Sequence, residues 1–285
     1  MTRVALIAVH GMGETLPSYA DGLMAALRGR LGPLAGQAVM RSVYYQGILH
    51  DNQRQVWDRT AAGGKVRYES LRKFVLYGLG DAAGLENRKE IPGSVYELAQ
   101  GEIAAALLSA HALRPDMPVV FVAQSLGGQV LSSYLYDAQK AAAGRAVGAG
   151  IWRNIDAWAG KGLGRDLTAS ERVFLGGGTC AGLVTTGCNI PIFVAAHKEM
   201  HIIPIAPPTS LFKWINFYAP DDVLGWPLQP LSNGYRALVE DRAINASGGV
   251  ASLLARSWNP LSHNSYWEDG AVLDAIAAML RRLTA

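Results

Sequence analysis

The 285-residue sequence lacks the features that mark several large classes of protein. It has only two cysteines, Cys180 and Cys188, too few for a disulfide framework or a four-cysteine zinc site. Free thiols are therefore expected, with a single isolated bridge as the alternative. The formal net charge of +3 is small and spread along the chain. Nucleic-acid binding needs Lys and Arg gathered on one face, so no nucleic-acid partner is expected.

Long apolar runs are also missing. No run approaches the roughly 18 residues that a membrane-spanning helix needs. The run Val4–Val9 near the N-terminus is short and leads directly into a Gly-rich turn, which favours a buried strand over a signal peptide. A cytoplasmic protein is the simplest expectation. No internal repeat is evident, which argues against a solenoid, and nothing in the sequence indicates an oligomeric state.

Half of the residues are hydrophobic, and apolar runs alternate with helical patterns along the chain. This alternation predicts an α/β fold, a mostly parallel sheet with helices on both faces. The predicted strands are Val4–Val9, Val39–Tyr45, Val119–Ala123, Gly182–Thr186 and Lys213–Tyr218. The predicted helices include Ser18–Leu31, Ser94–Leu113, one after Ser125, a short one opened by the capping box Thr168-x-x-Glu171, and a final one over Glu268–Leu283.

The stretch from about Gln46 to Pro92 has no strand signal and predicts a helical insertion in a single domain. Helices are expected over Ile48–Ala61 and Lys65–Leu79, the second ending in a Gly-rich region around Gly78-Gly80-Gly84. The second helix combines basic and apolar residues, which is typical of contact with a membrane surface or of a lid. Apolar helical stripes more often face a core, and that interpretation is preferred.

The segment Ala123-Gln124-Ser125-Leu126-Gly127-Gly128 carries the strongest chemical signal. An apolar strand leads into a serine flanked by small residues, and a helix follows directly. A sharp strand-to-helix turn needs small residues two positions before and after the serine, and it exposes the hydroxyl at a helix N-terminus. The pattern predicts a nucleophilic Ser125. The alternative is a serine that merely caps the helix.

A second loop, His10-Gly11-Met12-Gly13, follows the first strand. Its glycines allow the backbone to approach a substrate closely. A dinucleotide fingerprint would need another Gly at position 16 and an acidic residue after the next strand. The sequence has Leu16 there, and Val43-Tyr44-Tyr45-Gln46 supplies no acid, so a dinucleotide is not expected.

Together these loops resemble the α/β-hydrolase superfamily, specifically its lipase- and esterase-like members. Ala123 and Gln124 depart from the Gly and His that usually precede the nucleophile in that family. The resemblance implies an oxyanion hole from the backbone N–H groups of Met12 and Leu126, with His10, Gly11, Gly13 and Gln124 as supporting residues. It also implies a triad acid after the strand Lys213–Tyr218, with Asp222 preferred over Asp221. The base would be His263, which alone among the six histidines follows that acid.

The expected activity is hydrolysis of a carboxylic ester, lipid-like or small, through an acyl-enzyme and without a cofactor or metal. A thioesterase or acyltransferase would use the same residues, and a non-catalytic binding protein on this fold is the alternative from a different class. The segment Asn189–Pro208 is a candidate lining of the acyl pocket. His197 and His201 are four residues apart, but Glu199 is misplaced for the zinc motif H-E-x-x-H, so metal binding is not expected.

Overall fold

The apolar runs of the sequence form one central sheet in the computed structural model, which describes residues 2–61, 66–198, 202–245 and 265–284. All the paired strands are parallel, and their order is β2-β1-β3-β4-β5-β6. Helices cover both faces, as the sequence predicts for this α/β fold. The strands are β1 Val4–Val9, β2 Ala38–Val43, β3 Val119–Gln124, β4 Cys180–Thr186, β5 Lys213–Tyr218 and β6 Val239–Ala243.

The helices of the described residues alternate with these strands. They are α1 Asp21–Leu31, α2 Gly47–Thr60, α3 Glu69–Glu86, α4 Val95–His111, α5 Leu126–Ala142, α6 Ile155–Leu163, α7 Ala169–Leu175, α8 Ile190–Ala195, α9 Asn233–Leu238 and α10 Gly270–Thr284. The predicted capping box is present at the start of α7, where Thr168 and Glu171 each accept a backbone N–H of the other. None of the helices in the described ranges is long and apolar enough to span a bilayer.

Two separate apolar cores lie on the two faces of the sheet. Alternate residues of a strand point to opposite faces. In β1, Ala5, Ile7 and Val9 therefore join the core under α4 and α5. The other three residues of β1 join the core under α1 and α10, around Leu27 and Ile276. All six residues of β1 are fully buried, which explains its unbroken apolar sequence.

The prediction that α3 would end at its glycines is wrong, because the helix continues through them to Glu86. A Cβ on Gly78 would lie 2.9 Å from the Met12 sulfur, and one on Gly84 would lie 2.7 Å from Leu49 Cδ1. These glycines allow α3 to pack closely on the first loop and on α2. Their role is close packing rather than helix termination.

Candidate active site

The first two predicted loops lie side by side at the carboxyl edge of the sheet. From β1 the chain passes to β2 on one side and later to β3 on the other, so the strand order reverses between β1 and β3. In open parallel sheets, ligands bind outside the strand ends at such a reversal point. Val9 at the end of β1 is in register with Ala123 of β3. His10 and Ser125 therefore leave the sheet on either side of the expected binding crevice.

Ser125 has a strained backbone and a hydroxyl without a partner among the described residues. Its φ of 50° and ψ of −123° lie in a region that residues other than glycine seldom adopt. Such conformations cost of order 1–3 kcal/mol and cluster at active sites. Its Oγ is buried and makes no hydrogen bond to any described residue. A helix cap would have extended backbone and an Oγ that accepts a helix N–H; Ser125 has neither, so the capping alternative does not hold.

The turn around Ser125 is packed against the first loop with no space to spare. A Cβ on Gly127 would lie 2.3 Å from the carbonyl oxygen of His10. A Cβ on Gly11 would lie 2.7 Å from Ser125 Cβ. Both positions therefore require glycine. Ala123, where the resemblance would favour glycine, is accommodated in the buried strand without a break in its pairing.

Of the two predicted oxyanion donors, Met12 lines the cleft at Ser125 and Leu126 follows Ser125 directly in the chain. Leu126 is the first residue of α5, so its N–H has no acceptor within the helix. Met12 lies in the loop after β1, and its side chain packs against Gly78 of α3. Gly11, Met12, Gly13 and Gln124 line the same cleft as Ser125. The role of the two N–H groups as donors stays a prediction.

His10 holds the first loop in place and is not available as a base. Its Nδ1 lies 2.8 Å from the Gly11 carbonyl oxygen, and its Nε2 accepts the N–H groups of Tyr45 and Gln46 at 3.1 and 3.3 Å. A carbonyl only accepts and an N–H only donates, so the proton must be on Nδ1. Burial lowers the pKa of His10 to about 4, although the bond to Gly11 opposes this shift. The ring is therefore neutral at pH 7.

A buried carboxylate that the sequence analysis did not identify also holds this loop. Asp81 of α3 accepts the Gly13 N–H at 2.9 Å and the Gln53 side-chain amide at 2.6 Å, with the Gln46 amide beside them. Burial raises the pKa of Asp81, and the hydrogen bonds from Gln53, Gly13 and Gln46 counteract it. Asp81 thus connects the helical insertion to the backbone beside Ser125. Its only sequence signal is an acid within an otherwise apolar helix segment.

Asp222 lies in the turn after β5, where the sequence analysis places the triad acid. It is 6% exposed, whereas Asp221 is exposed to solvent. Its Oδ1 accepts the Leu224 N–H at 3.0 Å, and its Oδ2 accepts the Tyr266 hydroxyl at 2.8 Å. The Tyr266 hydroxyl also accepts the Ala219 N–H at 2.9 Å. Tyr266, which the sequence analysis did not single out, thus connects the turn of Asp222 to the segment before α10.

A second, half-buried polar group fixes the chain that follows Asp222. Asp241 on β6 accepts the backbone N–H groups of Leu228 and Gln229 and the side-chain amide of Asn216. Asn216 on β5 in turn accepts the hydroxyl of Thr185 at 2.8 Å. The turn is therefore held from both adjoining strands, a rigidity that suits a residue required at a fixed position.

The third predicted triad member, His263, lies outside the described residues, as do Glu199, Met200 and His201 of the weak metal motif. Of the histidines in the described ranges, only His10 lines the cleft at Ser125. His111 is half-buried, and its Nε2 is hydrogen-bonded to Ser170 Oγ at 2.9 Å. The described part of the chain thus offers Ser125 no free imidazole within the cleft.

The cleft at Ser125 has a volume of about 640 Å³. Its walls are the first loop with residues 14–19, the first half of α1, Phe74 of α3, and the stretch from Trp267 to Leu273. The described residues of the segment 189–208, which the sequence analysis proposed as an acyl pocket, are not among its lining residues. Both cysteines are free and buried, so the alternative of a bridge is wrong.

Comparison with known proteins gives only a weak likeness. No protein-family model matches the sequence, and no curated protein matches it. Two solved structures of acetyl xylan esterase are similar over 100% of both chains. One, an iodinated complex, is 12% identical with a TM-score of 0.40, and the other is 11% identical with a TM-score of 0.42. A likeness of this degree identifies neither the family nor the reaction.

Proposed function

We propose that the protein is a serine hydrolase of carboxylic esters, with Ser125 as nucleophile. The observation that carries the proposal is the strained backbone of Ser125 together with its buried Oγ, which makes no hydrogen bond to any described residue. A binding protein gains nothing from backbone strain of this kind at one residue. A nucleophile needs an oxygen held at a sharp turn beside a helix N-terminus, where a general base can reach it.

In the proposed mechanism, His263 accepts the Ser125 proton as Oγ forms a bond to the acyl carbon. The carbonyl oxygen becomes an oxyanion, which the N–H groups of Met12 and Leu126 stabilise. Each such donor contributes about 3–4 kcal/mol to the transition state. The ester C–O bond then breaks, and the alcohol leaves with the proton from His263. Water, deprotonated by the same imidazole, hydrolyses the acyl-enzyme and restores Ser125.

Asp222 is proposed to orient His263 and to stabilise its cation. In the sheet order β4 separates β3 from β5, so the strand ends that carry Ser125 and Asp222 are about 10 Å apart at the usual strand spacing. An imidazole with a hydrogen bond on each side bridges a gap of similar size. His263 also comes three residues before Tyr266, whose hydroxyl donates a hydrogen bond to Asp222. Three residues of chain span at most about 11 Å, which limits how far the His263 backbone can lie from that of Tyr266.

The nucleophile is tested with a fluorescent fluorophosphonate on the full chain. The wild-type protein and Ser133→Ala, a matched control on the same helix, are expected to be labelled at a single site. Ser125→Ala is expected to give no label and to lose about 10⁶-fold in turnover of p-nitrophenyl acetate. A folded wild-type protein that takes no label, or label that persists in Ser125→Ala, would overturn the proposal.

The acid and base are tested separately by turnover. His263→Ala should cost about as much as Ser125→Ala, whereas His197→Ala serves as the control and should be neutral. Asp222→Asn should cost about 10⁴-fold, because the imidazole would lose its orienting acceptor. Asp221→Asn should have little effect, since that side chain is exposed. A larger loss from Asp221→Asn would transfer the acid role to Asp221.

A further inference from the structure

The cleft extends well beyond the reacting serine, and its distal part is apolar. From Ser125 it passes the residues 14–19 and reaches α1 at Gly22, Leu23 and Ala26. Leu273 of α10 and the Trp267 ring complete this end. The ring is held in place because its Nε1 donates to Thr186 Oγ1 at 3.1 Å. This end of the cleft therefore has a fixed, hydrocarbon-lined wall.

The charges around the cleft disfavour an anionic ligand. Two carboxylates, Glu14 and Glu268, are among the lining residues. Glu14 lies 2.7 Å from Lys73 and is paired with it. The lining residues of the described chain include no Lys or Arg, and His10 is neutral. A carboxylate on the substrate would be repelled by Glu268, and the described lining residues include no Lys or Arg to offset this repulsion.

Gly22 leaves space where another residue of α1 would place a side chain. A Cβ built there meets no atom within 4 Å, although Gly22 lines the cleft. Gly29, seven residues further along α1, also meets no atom within 4 Å but does not line the cleft. Gly22 is the second residue of α1 and is exposed, so the cleft is open beside it; this open part of the cleft is called the channel.

We propose that this channel binds a neutral aliphatic chain of the ester substrate, and that Gly22 determines the chain length accepted. The inference rests on the proposed function, because it places the reacting carbonyl at Ser125. The apolar wall supplies the affinity, and the carboxylate of Glu268 disfavours a negatively charged chain end. The cleft volume of about 640 Å³ is well above that of an acetyl group and lies within the range of ligand sites.

The test varies the two sides of the ester independently. One series extends the acyl chain as p-nitrophenyl acetate, butyrate and octanoate, and the other extends the alcohol as ethyl, butyl and octyl acetate. Each series is measured on wild type, on Gly22→Leu and Gly22→Trp, and on the matched controls Gly29→Leu and Gly29→Trp. Fluorophosphonate labelling of Ser125 is measured in parallel on all variants. Gly22→Leu provides a milder change if the tryptophan variant does not fold.

In wild type, kcat/KM is expected to rise with chain length in one series, which identifies the side of the ester that enters the channel. Each buried methylene raises kcat/KM by a factor of about four. A tryptophan at position 22 that excludes two methylenes should therefore lower the ratio of kcat/KM for the longest ester to that for the shortest more than tenfold. The Gly29 variants should show the same kcat/KM as wild type for every ester in both series. A flat profile in both series, or a length preference that Gly22→Trp leaves intact, would overturn the inference alone. Absence of both label and hydrolysis would overturn the proposed function instead.

Discussion

Replacing Gly127 with alanine probes the contact between the serine turn and the first loop. The added Cβ would lie 2.3 Å from the His10 carbonyl oxygen and 2.8 Å from that of Val9. Close C···O contacts in proteins are about 3.3 Å or longer, so the two segments must separate by about 1 Å. Both obstructing atoms belong to the backbone, so no change of rotamer relieves the clash.

The cost of this separation falls on the pairing of two central strands, because Val9 and Ala123 are partners in the sheet. Overpacking of this kind costs about 1–3 kcal/mol. At about 2–4 °C per kcal/mol, the melting temperature of Gly127→Ala should fall by roughly 2–12 °C. A shift of about 1 Å at the nucleophile should also slow ester turnover about 10²-fold.

Thermal unfolding followed by circular dichroism, together with turnover of p-nitrophenyl acetate, measures both effects. Gly29→Ala on α1 is the control, because its Cβ meets no atom within 4 Å. It should raise stability by up to about 1 kcal/mol and leave turnover unchanged. If Gly127→Ala had the melting temperature and the ester turnover of the wild type, the proposed close contact between the two loops would be refuted.

Three further predictions concern other buried groups. Because folding lowers the pKa of His10 from 6.5 to about 4, the unfolded chain binds a proton in this interval that the folded protein does not. The stability contribution of His10 should therefore be complete above pH 6.5 and decline towards pH 4, by up to about 3 kcal/mol. The free energy of unfolding in urea should then depend on pH differently in wild type and in His10→Gln. Parallel pH curves for the two proteins would contradict this prediction. Tyr266→Phe removes the O–H that Asp222 accepts and leaves the Ala219 N–H unpaired. The free energy of unfolding in urea should therefore fall by about 1–3 kcal/mol. An unchanged urea midpoint would mean that these hydrogen bonds are not formed. Burial raises the pKa of Cys180 and Cys188 to about 12. Neither thiol should therefore react with Ellman's reagent at pH 8 until the protein is unfolded. Rapid reaction of the native protein would contradict this prediction, because it would show that a thiol is accessible.

The sequence predicts the buried parts of the fold best, because burial on both faces of the sheet demands continuous apolar runs. The bounds of β1 and β5 are as predicted, and β3 and β4 differ by one or two residues. Strand β6 was not predicted, because three of its five residues, Glu240, Asp241 and Arg242, are charged. It lies at the edge of the sheet, where charged residues are tolerated. Its identity as a strand depends on pairing with β5 rather than on its own pattern.

The site is predictable where its chemistry is local and unpredictable where it depends on distant contacts. The serine turn and the first loop are each encoded within a few residues, and the structure brings them together. Asp81 is 68 residues from its partner Gly13, and Tyr266 is 44 residues from Asp222. No periodicity or short motif reveals contacts at such separations. The position of His263 lies outside the described residues and stays a prediction.

The bond between Asp81 and the Gly13 N–H has a consequence for any attempt to exchange parts of this protein. The helical insertion is connected through it to the backbone beside the reacting serine, together with Gln53 of α2. A chimera that replaced residues 47–86 with helices from another protein would remove the acceptor of that N–H even if the new helices packed well. Transplantation of substrate preference through this insertion therefore requires that the carboxylate and its amide partner be transferred as well.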